Sequence, residues 1–291
     1  MLDSESQATL SHLMSFADTT SDLNRIARDL RARVIRMSHA GRAPHLGSSL
    51  SCIDILVAAY WRCLKIDPAT PLDPDRDRFI LSKGHAAAAL YATLAKRKFF
   101  DTSELNNYNV AGSRFPEQPS PRAVLGIEAA TGSLGHGLPI GLGMALAARI
   151  QQRDYRVVAV MSDGECNEGT VWEAAMFAAA QRLDSVTVVI DFNRWQATDR
   201  SEEVMALSPL VDKWQAFGWS AVEVDGHDID ALAERMNGTP LEAGKPTAII
   251  ARTIKGKGVS FMEDDNNWHY RIPNDTELRA ALNELGVAED E

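Results

Sequence analysis

The sequence predicts an α/β fold, a parallel sheet with helices on both faces. Three observations predict it. Short apolar runs rich in β-branched residues, at 156–161, 185–190 and 247–252, have the length and composition of strands buried on both sides. Segments with helical spacing alternate with them, the order that gives a covered parallel sheet. Two polar sites, Asp163-Gly164 and Asn193, follow two of these runs and flank one helix-forming segment. That is a βαβ unit with oxygen ligands at the carboxyl ends of its strands, where open α/β sheets bind ligands.

The elements follow in order. Residues 1–20 are polar and read as a loose arm or short helix. Leu23, Ile26, Ala27, Leu30, Val34 and Met37 keep helical spacing, with Ser21 or Asp22 as the cap. Residues 44–50, around His45, read as a loop before an apolar helix at 53–64. Residues 65–78, rich in Pro and Asp, read as a surface loop. A short strand at 79–82 leads to Gly84-His85 and an alanine-rich helix reaching about Lys96. Residues 106–126 have little periodicity, and a loop of that length inside a compact domain is usually functional. Gly132, Gly135, Gly137, Gly141 and Gly143 mark a loop that becomes a helix ending near Arg149. The helix of the βαβ unit covers 173–182. Then come a helix at 209–217, a strand at 219–224, a helix at 229–236 and the strand at 247–252. The tail from Lys255 has no strong period until Asp275, and its acidic end reads as frayed. No repeat or linker is visible, so one domain spans 1–291, with a C-terminal extension from 253.

Composition narrows the function. The chain has 291 residues, 45% hydrophobic and 24% charged, enough for a large α/β core. A net charge of -10 argues against nucleic acid or anionic membrane as the main partner. No apolar stretch is long and uncharged enough to span a bilayer, and the start has no signal-peptide pattern. Cys52, Cys63 and Cys166 lack metal-ligand spacing and read as reduced thiols of a cytoplasmic protein.

Each candidate has a bland reading beside the functional one. Taken singly, Asp163 is a helix cap and Asn193 a turn residue. Taken together at two strand ends, a carboxylate, an amide and a backbone carbonyl suit a hard divalent cation that also holds phosphate. Gly164 lets a ligand approach the backbone closely. Glu168 starts the next helix and complements its dipole. The run Thr131-Gly132-Ser133-Leu134-Gly135-His136-Gly137 is a glycine-rich turn leading into a helix, or simply a tight loop with close helix packing. His85 stands at a helix start, where anions are favoured, or is a packing histidine. His45 and His269 lie in loops, and the Lys255-Gly256-Lys257-Gly258 run could be only solvated. Nothing raises His12, His39 or His227 above surface or turn residues; Gly226-His227-Asp228 reads as a helix-entry turn.

Several motifs in one order resemble the transketolase family over about residues 22–273. Asp163-Gly164…Asn193 is similar to the thiamine diphosphate motif. Ser82-Lys83-Gly84-His85, Thr131-Gly132-Ser133-Leu134-Gly135, Glu168-Gly169 with Trp172-Glu173-Ala174, and Lys255-Gly256-Lys257-Gly258-Val259-Ser260-Phe261-Met262-Glu263 resemble transketolase segments. The resemblance is to the N-terminal, diphosphate-binding half and implies the thiamine diphosphate-binding fold. It implies that Asp163, Asn193 and the Trp195 carbonyl bind Mg2+ or Ca2+ bridging the cofactor diphosphate. It places His85, Gly164, Glu165, Asn193 and His269 at the cofactor, with Gly132, Ser133 and Leu134 lining its cleft. His45 and His269 would be catalytic and reach the substrate, and Glu168 would lie near a subunit interface. The implied reaction is two-carbon ketol transfer, with thiamine diphosphate as electron sink.

The chain also departs from that pattern. It stops after the first domain, so the resemblance implies a separate C-terminal subunit carrying the pyrimidine-binding half, in at least a heterotetramer. Gln118 stands about where transketolases commonly place a substrate-contacting histidine; an amide can hydrogen-bond a hydroxyl but carries no proton. His136, Ser162 and Tyr270 also differ from the usual residues. Two further readings stand: a 2-oxoacid dehydrogenase α subunit or deoxyxylulose-phosphate synthase relative, and a non-catalytic scaffold subunit.

Overall fold

A computed structural model describes residues 19–121 and 123–288. The arm read at the N-terminus lies almost wholly outside them, as do His12 and the acidic end at 289–291. Five strands form one parallel sheet: β1 (Arg78–Leu81), β2 (Val157–Ser162), β3 (Val186–Phe192), β4 (Ser220–Asp225) and β5 (Thr247–Arg252), in the order β1-β2-β3-β5-β4. Every residue of β2 and β3 is buried, which is why both read as unbroken apolar runs.

Alternate residues of each strand feed different cores. Val158 and Val160 of β2, with Val189 of β3, pack against α1 (Thr20–Gly41), α2 (Leu46–Ser51), α3 (Ile53–Ala58), α4 (Ala87–Lys96), α9 (Ile229–Asn237) and α10 (Asp275–Leu285). Val157, Ala159, Val188 and Ile190 face α5 (Gly137–Ile150), α6 (Gly169–Ala180) and α8 (Leu210–Ala216). There Trp214 and Trp219 meet edge to face with centroids 4.8 Å apart. A short α7 (Ser201–Val204) follows β3.

Several local expectations need correction. The cap of α1 is Thr19, ahead of the Ser21 or Asp22 expected. Its hydroxyl accepts from Asp22 N while the Asp22 carboxylate accepts from Thr19 N, a reciprocal capping box. The apolar helix after residue 53 turns into a π-helix at Ala59–Cys63. Residues 46–51 are a short helix rather than loop, and all six are buried; tertiary packing stabilises a turn too short to show periodicity. Among the described residues no helix is long and apolar enough to cross a membrane.

Candidate active site

The carboxyl ends of β1, β2, β3 and β5 open on one edge of the sheet. β2 and β3 are neighbours, with Ser162 opposite Asp191, so the residues just beyond them are adjacent. Asp163 is fully buried. Its Oδ1 accepts from Gly164 N at 2.9 Å, and its Oδ2 from Arg194 N and Ser201 Oγ, each at 2.8 Å. These donors are two backbone amides and a hydroxyl, and none carries charge. Burial, with help from the nearby Asp191 charge, pushes the Asp163 carboxyl up to about 7. Asn193 is also buried; its Oδ1 accepts from Trp195 N at 3.0 Å, and its Nδ2 donates to Ser51 Oγ at 3.2 Å.

Beneath them lies a charge pair that the sequence did not reveal. Lys83 and Asp191 are both fully buried and form an ion pair. Lys83 Nζ also donates to Ser48 O at 2.9 Å, Ser51 Oγ donates to Asp191 Oδ2 at 2.5 Å, and Thr253 Oγ1 donates to Asp191 Oδ1. Asn193 is thus held through Ser51 by a carboxylate that Lys83 fixes. Asp191 is 108 positions from Lys83, so no local spacing signals the pair.

Three histidines from distant loops converge. His45 enters α2 with φ 67°, and its backbone N–H donates to His269 O at 2.7 Å. The ring centroids lie 5.4 Å (His45–His85), 4.9 Å (His45–His269) and 5.9 Å (His85–His269) apart. Burial and then the neighbouring Lys255 charge lower His269 to about 3. Burial and then Lys83 hold His85 well below the usual imidazole value. Burial lowers His45 too, although Glu117 pulls the other way. Glu117 Oε1 lies 2.9 Å from His45 Nδ1, but outside hydrogen-bond geometry. All three rings are therefore neutral at neutral pH, and each can donate at one nitrogen and accept at the other.

Lys255 is the other residue the sequence undervalued. Far from being solvated, it is 1% exposed. Its Nζ donates to Asn266 Oδ1 at 2.6 Å and lies 3.2 Å from His269 Nδ1. Burial and the Lys83 charge lower it to about 8.

The glycine turn and the long loop meet above Gly84. A Cβ on Gly84 would fall 2.5 Å from Gly132 N, and one on Gly132 would fall 2.0 Å from Gln118 Oε1. Gln118 is thus brought to the turn that includes Ser133, exposed, and Leu134, half-buried. Glu165 is buried, and its carboxylate is taken by Ser82 Oγ, Gly135 N (2.9 Å) and Ser162 N (3.4 Å). It ties the glycine turn to the Asp163-Gly164 turn. Glu168 is exposed at the start of α6. The loop bearing Trp195 is clamped by Asp264, which accepts from Trp195 Nε1 at 2.8 Å and pairs with Arg200; the Arg200 guanidinium stacks 3.8 Å above the indole.

These residues fit a divalent cation with a diphosphate. The buried Asp163 carboxyl has only uncharged hydrogen-bond donors, and burial disfavours its charged form, which a neighbouring cation would favour. Among the described residues no three His, Cys, Asp or Glu side chains converge as a metal site; a set of one carboxylate, one amide and one carbonyl is of the oxygen-rich type that suits Mg2+ or Ca2+.

Residues 23–291 match the family described as transketolase, thiamine diphosphate binding domain. The chain is 38% identical over 255 residues to an apulose-4-phosphate transketolase subunit of Phocaeicola vulgatus, covering 88% of this chain and 90% of that one. It is 41% identical over 241 residues to the 6-deoxy-6-sulfo-D-fructose transketolase subunit SqwG of Clostridium sp. (strain MSTE9), covering 83% and 88%. The solved transketolase of Campylobacter jejuni superposes with a TM-score of 0.85 at 27% identity, over 92% of this chain and 43% of that one. The chain therefore belongs to the transketolase family, whose general reaction is two-carbon ketol transfer. It spans less than half of the solved transketolase but nearly all of the two relatives named as subunits.

Proposed function

We propose that this chain is the N-terminal, diphosphate-binding subunit of a two-chain transketolase. It forms one domain, and a separate C-terminal subunit, bringing the pyrimidine-binding half, completes the cleft in a cytoplasmic heterotetramer. The observation that carries this reading is the convergence of Asp163 and Asn193, at adjacent strand tips, with the neutral His45–His85–His269 cluster at the same sheet edge.

Asp163, Asn193 and the Trp195 carbonyl would hold Mg2+ or Ca2+. His85, Gly164 and His269 would contact the diphosphate, with Glu165 fixing the turns around it and Gly132, Ser133 and Leu134 lining the cleft. Thiamine diphosphate, when bound, supplies a carbon nucleophile and an electron sink. The protein's own work is then positioning and proton transfer. His45 and His269, both neutral, would each offer one donor and one acceptor nitrogen to substrate oxygens and hold or move protons there. Gln118 orients a hydroxyl without exchanging its proton. Glu168, exposed, contributes to the subunit interface. Ketoses with an anionic tail, as in the names of the two subunit relatives, are the donor class to test first.

The test is reconstitution with a C-terminal subunit, Mg2+ and thiamine diphosphate, followed by a donor screen. Ketol transfer from a ketose supports the proposal. Pyruvate decarboxylation instead would support the 2-oxoacid reading, and calorimetry showing no cofactor binding in the complex would support a scaffold.

A further inference from the structure

His227 lies in the turn between β4 and α9, outside the cation and histidine clusters, and no step of the proposed reaction uses it. It lies in the helix-entry turn that the sequence suggested, with Asp228 capping α9, but the ring is not on the surface. Its side chain is 14% exposed, and both ring nitrogens are bonded. Nδ1 is 2.7 Å from Asp54 Oδ2 of α3, and Nε2 accepts from the backbone N–H of Ile254 at 2.9 Å. An amide can only donate, so Nε2 is unprotonated and the proton sits on Nδ1, facing Asp54. No local pattern signals this arrangement, because Asp54 lies 173 positions away.

Asp54 also pairs with Arg31 of α1 at 2.5 Å, and Arg31 Nε donates to Lys257 O at 3.0 Å. The chain passes Arg31 so closely that a Cβ on Gly258, whose φ is +99°, would fall 2.7 Å from Arg31 Cδ. The Arg31–Asp54–His227 chain thus grips the loop at residue 254 and again at residue 257. Between the grips, Gly256 N donates to Gly47 O at 2.9 Å and Lys255 O accepts from Asp264 N at 2.8 Å. The residue so presented is Lys255, beside His269.

We infer that His227 is a positioning residue: as a neutral Nδ1–H imidazole it latches the loop at Ile254 and so holds Lys255 against His269. The importance of that placement rests on the proposed role of His269; the latch itself does not.

The chemistry of the two nitrogens gives the test. In His227→Gln the amide oxygen takes the place of Nε2 and can still accept from Ile254. In His227→Asn the shorter amide takes the place of Nδ1 and reaches only Asp54. His227→Ala reaches neither. With folding of each full-length variant verified by thermal melting, the rate of Lys255 modification by acetic anhydride is followed by mass spectrometry. We expect His227→Asn and His227→Ala to raise that rate at least about fivefold, through local opening, and His227→Gln to stay within about twofold of wild type. In the reconstituted two-subunit enzyme, kcat should fall about 10- to 100-fold in the Asn and Ala variants and be largely restored in the Gln variant. Equal labelling of the Gln and Asn variants, wild-type labelling in all three, or failure of the Gln variant to fold would overturn the latch. A labelling split without ketol transfer in the wild-type complex would uphold the latch and count instead against the proposed function.

Discussion

Gln118 Oε1 lies where a Cβ on Gly132 would be, only 2.0 Å from that position. The long loop is therefore fitted to the glycine turn, and the side chain it brings there is an amide. Its backbone is also held, by the Tyr91 hydroxyl donating to Gln118 O at 3.3 Å. We expect Gln118→His to change the ratio of kcat/KM between sugar donors about tenfold or more, because hydrogen bonds to substrate hydroxyls decide such ratios. Cofactor affinity should stay within about twofold of wild type, since the residues proposed to contact the diphosphate are His85, Gly164 and His269 rather than Gln118. Identical kinetics on every sugar would count against this placement.

Asp163 is expected to govern cofactor retention rather than turnover alone. Asp163→Ala removes the one carboxylate proposed to face the cation and leaves the donors Arg194 N, Gly164 N and Ser201 Oγ without their acceptor. Supporting residues around metal sites cost about 10- to 100-fold in affinity when lost, so loss of a ligand should cost about 100-fold or more. Calorimetric titration with thiamine diphosphate and Mg2+ measures this directly, and unchanged affinity would refute the metal assignment.

His269 sets an acid limit on stability. Its folded-state pKa, about 3, lies below the ordinary imidazole value of 6.5, so the unfolded chain binds the proton first. The stability this group contributes is full above about 6.5 and is lost as pH falls toward 3. At pH 5 the loss from this one residue is about 2 kcal/mol. Urea unfolding from pH 8 to pH 5 should therefore show a shallower decline for His269→Asn than for wild type. Equal slopes would mean that the ring is not held neutral.

The Lys83–Asp191 pair is expected to matter most when broken from one side. Lys83→Met leaves a fully buried carboxylate with only hydroxyl partners, a change that typically destabilises by about 3–5 kcal/mol. Adding Asp191→Asn to the same variant removes the stranded charge and should recover part of that stability, as read by urea unfolding. A double variant no more stable than the single one would show that the ion pair is not the source of the loss.

The sheet was legible because its strands are buried on both faces. Residues 156–161, 185–190 and 247–252 could only be unbroken apolar runs, and the observed strands begin or end within two residues of these ranges. The Asp163–Asn193 pair was legible for the same reason, since a polar residue just beyond such a run marks the strand's carboxyl end. The short helix at Leu46–Ser51 was not, because one buried turn has no periodicity to display. Nor was the standing of Lys255, since a lysine in a Lys-Gly-Lys-Gly run looks solvated until the loop is folded back over it.

The sequence by itself determined the alternation of strand and helix, the family, and the placement of Asp163 and Asn193 just beyond two neighbouring strands. These depend on local pattern: burial period, strand length and motif order. Only the tertiary structure decided which polar groups lie together. Lys83 meets Asp191, Lys255 meets His269, and His227 joins Asp54 to the backbone of Ile254. Each of these contacts depends on the sheet order and on which face each crossover covers. Hydrogen bonds act over about 3 Å of space and are indifferent to separation along the chain.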